Sequence, residues 1–203
     1  QRNHGSAVST GEGVVVIDAD MVLEPDLAAA VDAAFTASPA LGALVLPERS
    51  FGTGFLAACR TMEKELYVGD DRVEAPRAFR RTVIDAVGGW NEQLVAAEDW
   101  DLADRTTAAG IQIGRVDAWI WHDEGHLRLR TTFAKKRYYG RWIEQYLRTQ
   151  PAGGSKLART ALLRQPGRLL RHPLLTGGLA VLKATEAAGL LLGMRDARRG
   201  AAT

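Results

Sequence analysis

Short apolar runs alternate with polar turns in the first part of the chain. Two such runs, at residues 14–17 and 41–46, are rich in branched aliphatic side chains, which is typical of strands covered on both faces by helices. Between them, Pro25 fits the first turn of a helix that reaches about Ser38. The pattern predicts a strand, a helix and a second strand.

The alternation of predicted helices and strands continues to residue 121. The further elements are a helix capped by Ser50 and running to Leu66, a short strand near 77–80, a helix at 82–87 stopped by Gly88-Gly89, a helix at 98–109 ended by Gly110, and one or two strands within 111–121. This order predicts an α/β fold with a mostly parallel sheet flanked by helices.

The pattern then changes to helices rich in basic and apolar residues. They are an amphipathic helix at 133–149, a basic helix at 156–171 after a linker at 151–154, and an apolar run at 174–194. We divide the chain accordingly into three regions: an α/β core at 1–127, a basic amphipathic helix that closes the core at 128–150, and a basic and apolar helical appendage at 151–203.

Charge divides the chain at the same place. Residues 1–127 contain 10 Lys and Arg against 21 Asp and Glu, whereas residues 128–172 contain 12 against 1. An acidic part suits a cation site, and a basic part suits phosphates, a nucleic acid or an anionic membrane face. Cys59 is the only cysteine, which excludes an intrachain disulfide and a zinc site built from several cysteines and fits a reducing compartment.

Asp18 and Asp20 lie just past the end of the first predicted strand. Because the chain leaves its alternating pleat there, both carboxylates can reach one site. Hard oxygen ligands suit Mg²⁺ or Mn²⁺, which bridge carboxylates to substrate phosphates. An acidic pair is also common in solvated turns, so this motif alone leaves both interpretations open.

Glu98, Asp99 and Asp101 stand in the first turn of a predicted helix. Acids at this end of a helix stabilise its dipole, which is a sufficient structural reason for them. Arg105 lies one turn after Asp101 and is expected to pair with it, leaving Asp99 free. Repulsion within the cluster would raise the pKa of a carboxyl group towards that of a useful general base.

A third polar cluster, at residues 121–126, follows the last predicted strand. Its His122 fits a metal ligand or a phosphate contact. A lone histidine beside acids is also a common hydrogen-bonded surface residue, so the sequence does not choose between these interpretations.

Several segments together carry a family resemblance. They are Arg2-Asn3-x-Gly5, Val16-Ile17-Asp18-Ala19-Asp20, Phe79-Arg80-Arg81, Val87-Gly88-Gly89-Trp90-Asn91-Glu92 and Glu98-Asp99-Trp100-Asp101-Leu102. In this order and spacing they resemble the DxD region and the later acceptor-side region of inverting family 2 glycosyltransferases. The resemblance covers about residues 1–145.

The resemblance implies a Rossmann-like GT-A fold, lacking its first βα units in this chain. It also implies transfer of a sugar from a nucleotide-sugar donor to an acceptor hydroxyl with inversion. The site residues that it implies are Asp99 as general base; Asp18, Asp20 and His122 for Mg²⁺ or Mn²⁺; Asp18, Asp20, His122 and Arg80 for the donor diphosphate; and Glu98, Trp90 and Trp100 for the acceptor. Core packing is an equal alternative for Trp90.

Two departures from the family pattern limit what the resemblance implies. The family's first strand is absent, so the donor nucleotide is not indicated. The QxxRW motif of processive members is also missing, because Tyr139-Gly140-Arg141-Trp142 preserves only the RW pair. Transfer of a single sugar is therefore expected rather than polymer synthesis.

The apolar run at 174–194 approaches the length that crosses a bilayer. Lys183 and Glu186 fall near its middle, where each would cost about 2–3 kcal/mol. An interfacial or domain-packed helical hairpin broken at a glycine is the alternative. Because a basic helix precedes this run, we expect peripheral attachment to the cytoplasmic face of the cell membrane and a saccharide or lipid-linked acceptor.

Two other functions compete with the transferase. A non-catalytic sugar-nucleotide or membrane-binding module is the second hypothesis, because part of the donor pocket is missing from the chain. Nucleic-acid binding by residues 128–172 rests on charge and interleaved aromatic residues alone. We expect no nucleic-acid partner, since no recognised motif accompanies that charge.

Overall fold

The structure is a computed structural model that describes residues 1–149 and 165–200. The helices are α1 Arg2–Val8, α2 Leu27–Ala37, α3 Phe55–Tyr67, α4 Arg81–Val87, α5 Glu98–Ala108, α6 Leu129–Thr149, α7 Pro166–Arg171 and α8 Pro173–Gly200. The strands are β1 Gly13–Val15, β2 Met21–Leu23, β3 Leu41–Val45, β4 Glu48–Thr53, β5 Ala78–Arg80, β6 Gln112–Arg115 and β7 Ile120–His126. The predicted linker at 151–154 and most of the helix at 156–171 lie outside the described residues.

The strands form two mixed sheets, in the orders β1-β5-β3-β6 and β2-β7-β4. Among the strands of the described residues, β3 pairs in parallel with β6 and β4 with β7, and the other pairings are antiparallel. The α/β prediction is confirmed, but the expected mostly parallel sheet is wrong. The reason is that β5 lies between β1 and β3 and runs opposite to both, and that β2 pairs antiparallel with β7.

The prediction that Ser50 caps a helix is wrong. Ser50 lies within β4, and α3 begins only at Phe55. The Ser50 hydroxyl instead bonds to the Glu124 carboxylate at 3.0 Å, on the neighbouring strand β7. β7 also runs through His126, so the polar residues 121–126 belong to a strand rather than to the loop after it.

Two apolar clusters form the core of the α/β region. Leu27, Val31 and Phe35 from α2 pack with Leu44 and other residues of the sheets. Phe79 and Trp90 pack edge to face, with ring centroids 5.9 Å apart, in a second cluster that includes the buried Leu102 of α5. This second cluster fixes the start of α5, and with it the acidic residues, against the sheet.

Glycines allow α6 and α8 to pack with their backbones close together. A Cβ atom on Gly189 would lie 2.6 Å from the Phe133 carbonyl oxygen, and one on Gly193 would overlap the Arg137 carbonyl. α8 is one continuous helix of 28 residues. The expected hairpin broken at a glycine is therefore wrong, because the glycines serve close helix packing and not a turn.

The two faces of α8 differ in chemistry. Lys183 and Glu186 point towards α3, where Glu186 pairs with Arg60 and Lys183 bonds to Glu63 at 2.8 Å. The opposite face is exposed and carries no charge up to residue 194; it consists of Leu174, Gly177, Val181, Ala184, Ala188 and Leu191. Length and composition would allow Pro173–Arg199 to cross a membrane. The charged residues that argued against a membrane are thus on the face covered by protein.

Candidate acidic site at Arg2

The two acidic motifs of the sequence meet at the guanidinium of Arg2. Its NH1 group donates a hydrogen bond to Asp99 and lies 3.4 Å from Glu98. Its NH2 group donates to Asp18 at 3.2 Å. One partly buried cation therefore bridges the DxD motif and the start of α5.

Asn3 holds α1, and so Arg2, in this position. The Asn3 side-chain amide pairs with both the backbone N–H and the carbonyl of Trp90, each at 2.8 Å. A Cβ atom on Gly89 would lie 2.6 Å from Asn3 Oδ1, and Gly89 has a φ of +68°. Only glycine fits there without strain. The Arg2-Asn3 and Gly88-Gly89-Trp90 segments, which are far apart in the sequence, are thus in direct contact.

Asp99 is not free, contrary to expectation. Besides Arg2, the Trp90 indole N–H donates to Asp99 at 3.2 Å. Both donors bond to Oδ1 of Asp99. No residue that the structure describes donates a hydrogen bond to Oδ2. One oxygen of this carboxylate is thus held in place by two donors, and the other is not.

Arg105 pairs with Asp101, as predicted, at 2.8 Å. The same guanidinium donates to the carbonyl oxygens of Val87 and Gly89 at 2.5 and 2.7 Å. Asp101 is buried and structural, since it orients the arginine that joins α5 to the turn after α4.

Burial raises the pKa of Glu98, and the nearby carboxylates of Asp99 and Asp18 raise it further, against the opposing charge of Arg2. The predicted effect of carboxylate repulsion is therefore present at Glu98. This group faces a cavity of about 260 Å³, whose wall also includes Asp99, Trp100, Arg77 and His122.

No protein-family model matches this chain, and no curated protein sequence gives a significant match.

The three predicted metal ligands are only partly assembled. His122 Nε2 lies 3.3 Å from an Asp20 oxygen, because Met21 and His122 are opposite each other in the β2–β7 pair. Asp18 turns towards Arg2 and Arg77 instead. In the described parts of the chain, no three acidic, His or Cys side chains already surround one cation position.

The donor set nevertheless fits a hard divalent cation. Asp18 and Asp20 are 40% and 56% exposed, so their carboxylates can reorient. The Glu48 carboxylate, 3.7 Å from Nδ1, raises the pKa of His122, so a proton competes with a cation for this imidazole. Nδ1 itself is buried without a hydrogen-bond partner. Asp20 and His122, with Asp18 completing the set, are the residues that would hold Mg²⁺ or Mn²⁺.

Arg77 and Glu48 belong to this site, although no sequence motif assigned a role to either. Arg77 Nε donates to Glu48 at 2.7 Å, and Arg77 NH2 lies 3.3 Å from Asp18. Although burial opposes it, interactions with His122, Lys64 and Arg77 lower the pKa of Glu48 strongly. No local signal marks Glu48, because its position depends on the pairing of β4 with β7.

Arg80 is not brought to the acidic site. Gly13 lies opposite Arg80 in the β1–β5 pair, so the chain after β1 passes Arg77 instead. The Arg80 guanidinium donates to the carbonyl oxygens of Leu41 and Phe35 at 2.8 and 2.6 Å. It stabilises the end of α2 at the opposite end of the strand pair.

The two tryptophans have different surroundings. Trp90 is 5% exposed and packs on Phe79, so its ring has no face for an acceptor sugar. Its contribution to the site is the N–H that holds Asp99. Trp100 is half-buried, donates to the Val73 carbonyl at 3.2 Å and faces the cavity. Of the two, only Trp100 is placed to touch a ligand there.

Proposed function

We propose that this protein is a metal-dependent, inverting glycosyltransferase of the family 2, GT-A type, which transfers one sugar from a nucleotide-sugar donor to an acceptor hydroxyl. The observation that carries the proposal is the convergence of Asp99 and Asp18 on Arg2, from positions 97 and 16 residues away. A transferase of this kind needs its base beside its diphosphate site. The resemblance of the two motifs to family 2 enzymes supports the same function.

In this proposal Asp99 is the general base. Arg2 and Trp90 hold Oδ1 in place. Oδ2 takes the proton of the acceptor hydroxyl while the oxygen of that hydroxyl attacks the anomeric carbon of the donor sugar. The bond from that carbon to the donor diphosphate breaks, and its electron pair leaves with the nucleoside diphosphate. Attack from the face opposite the leaving group inverts the anomeric configuration.

Asp18, Asp20 and His122 are the residues that would hold Mg²⁺ or Mn²⁺, which supplies charge stabilisation to the leaving diphosphate when bound. Arg2 and Arg77 lie beside Asp18. Their guanidinium groups are placed to contact phosphate oxygens if Asp18 turns towards the cation. Glu98 and Trp100 line the cavity beside Asp99 and are proposed to contact the acceptor.

The test is release of a nucleoside diphosphate from a panel of nucleotide sugars, with Mn²⁺ or Mg²⁺ and then with EDTA. We expect metal-dependent release from one donor and a loss of transfer of about a hundredfold or more in Asp99→Asn. Asp85→Asn, an exposed acid on α4, is the matched control and is expected to retain activity. Unchanged transfer in Asp99→Asn would overturn the role of Asp99.

A non-catalytic sugar-nucleotide-binding module is the alternative outcome of the same experiment. Metal-dependent donor binding without turnover, in protein whose fold is intact by circular dichroism, would select it.

For either function we propose a position at the cytoplasmic face of the membrane, because the exposed face of α8 is apolar and Arg168 and Arg171 precede it in α7.

A further inference from the structure

A second cavity of about 410 Å³ lies between α5, α6 and α8. Its walls are mostly apolar: Trp100 from α5, Tyr139 and Ile143 from α6, and Ala187 and Leu190 from α8. This volume is within the range of cavities that bind small molecules. The acidic motif includes Trp100, but no motif indicated a second cavity, because α8 supplies one of its walls.

The cavity adjoins the acidic site. Ala97 and Trp100 line both this cavity and the one that contains Asp99. Ala97 has a φ of +64°, and no other non-glycine residue in the described ranges has a positive φ. Alanine in this conformation is strained, and such strain is common where a binding site is formed. The strained residue is the wall between the two cavities.

We propose that the cavity between α5, α6 and α8 binds the apolar part of the acceptor. This inference rests on the proposed function, since it needs the acceptor hydroxyl to lie at Asp99. A ligand that crosses the Ala97–Trp100 wall has a polar end at the carboxylates and an apolar end against Ile143 and Leu190. The acceptor class is therefore an amphiphile, a sugar or alcohol that carries an alkyl, isoprenoid or aromatic group.

Charge on the walls agrees with this division. Lys136, Lys183 and Glu186 also line the cavity, and both lysines lie near the Glu186 carboxylate, at 3.7 and 2.5 Å. They are thus engaged with an acid of the protein. The apolar side chains, rather than a charged group, are what this cavity offers to a ligand.

The first experiment measures binding without turnover. Calorimetry compares methyl, phenyl and n-octyl β-glucosides below their micelle concentrations, with inorganic pyrophosphate and Mn²⁺ present. We expect the phenyl or octyl glycoside to bind at least about tenfold more tightly than the methyl glycoside. Preference for octyl indicates a lipid-type chain, and preference for phenyl an aromatic group. Equal binding of all three would overturn the proposal.

Two matched pairs of variants locate the binding. Ala187→Trp fills the cavity, whereas Ala188→Trp adds the same ring at the next position of α8, which does not line the cavity. Tyr139→Ala removes a wall, whereas Tyr138→Ala removes an exposed neighbour. The first member of each pair should lose the preference for the apolar glycoside and the second should keep it. Equal losses within both pairs would contradict the assignment.

The outcome is separable from that of the proposed function. If donor turnover is absent but apolar glycosides bind in this pattern, the result supports binding in this cavity and contradicts the proposed transferase activity. If transfer proceeds at equal rates to methyl, phenyl and octyl acceptors, the transferase stands and the cavity proposal fails. Tyr138→Ala should leave donor hydrolysis by water unchanged, because Tyr138 lines neither the acidic site nor the second cavity.

Discussion

The Arg2 guanidinium donates to the Asp99 carboxylate, although 97 residues separate them in the sequence. The same guanidinium reaches Asp18, so one side chain connects the end of the first strand region to the start of α5. A cation in this position lowers the repulsion among three carboxylates. It also lies next to the place where a metal ion would enter.

Arg2 is therefore expected to weaken divalent cation binding. In Arg2→Ala the carboxylates of Asp18, Glu98 and Asp99 lose their shared positive partner, so Mn²⁺ should bind about fivefold or more tightly, because a nearby like charge is removed. Titration calorimetry measures this change. Arg2→Lys retains the charge and is expected to bind Mn²⁺ as the natural protein does; a fivefold gain there too would contradict the electrostatic explanation.

The Trp90 indole is expected to matter through its N–H group. Trp90→Phe keeps an aromatic ring against Phe79 but removes the donor to Asp99. We expect the free energy of unfolding to fall by about 1 kcal/mol, and the transfer rate to fall about tenfold because Asp99 is held less firmly. Trp119→Phe, outside the acidic site, is the control. A full transfer rate in Trp90→Phe would contradict a role for the Trp90 N–H in positioning Asp99.

Glu186 makes the attachment of α8 sensitive to acid. Burial alone would raise its pKa, but Lys136, Arg60 and Lys183 lower the pKa to about 2 from the ordinary value of 4.5. A carboxyl whose pKa is lower in the folded state stabilises the fold above the unfolded pKa. Its contribution, about 3 kcal/mol, is therefore complete above pH 4.5 and is lost as the pH falls towards 2.

Glu186→Gln removes that contribution. At pH 7 we expect the free energy of unfolding to fall by about 3 kcal/mol, because Arg60 and Lys183 lose a buried partner. Urea unfolding followed between pH 7 and pH 2 should then show a shallower loss of stability than in the natural protein. Parallel pH curves for the two proteins would contradict this assignment.

Two glycines of α8 should respond in opposite directions to the same substitution. Gly193→Ala is expected to lower the free energy of unfolding by about 2 kcal/mol, because its methyl group would overlap the Arg137 carbonyl of α6. A methyl group at Gly177 meets open space. Gly177→Ala should therefore raise the free energy of unfolding by about 0.5–1 kcal/mol. Thermal unfolding of both variants tests the packing, and a loss in both would contradict it.

The exposed face of α8 is expected to bind anionic membranes. Flotation with vesicles of phosphatidylglycerol or phosphatidylcholine should show binding to the anionic lipid only. Val181→Glu should weaken this binding about tenfold, because it places a charge on the apolar face. Val22→Glu makes the same change at an exposed valine on β2 and should have no effect. Equal loss in both variants would assign the binding to net charge alone.

The sequence by itself determined those elements whose signals are local. The helix at α4 ends where Gly88 adopts a φ of +77°, and the α5 helix and the Asp101–Arg105 pair follow from spacing within one helix. The acidic motifs were recognisable because each is contiguous. Such features depend on residues no more than one helical turn apart, so they can be predicted from residue spacing alone.

Only the tertiary structure decided which strands pair and what each motif faces. β5 lies between β1 and β3, β4 pairs with β7, and these pairings bring Arg77 and Glu48 to Asp18 while taking Arg80 away. Packing of α8 against α3 likewise places Lys183 beside Glu63 and Glu186 beside Arg60. Pairing is selected by burial and hydrogen bonding between segments distant in the chain, so no local pattern encodes it.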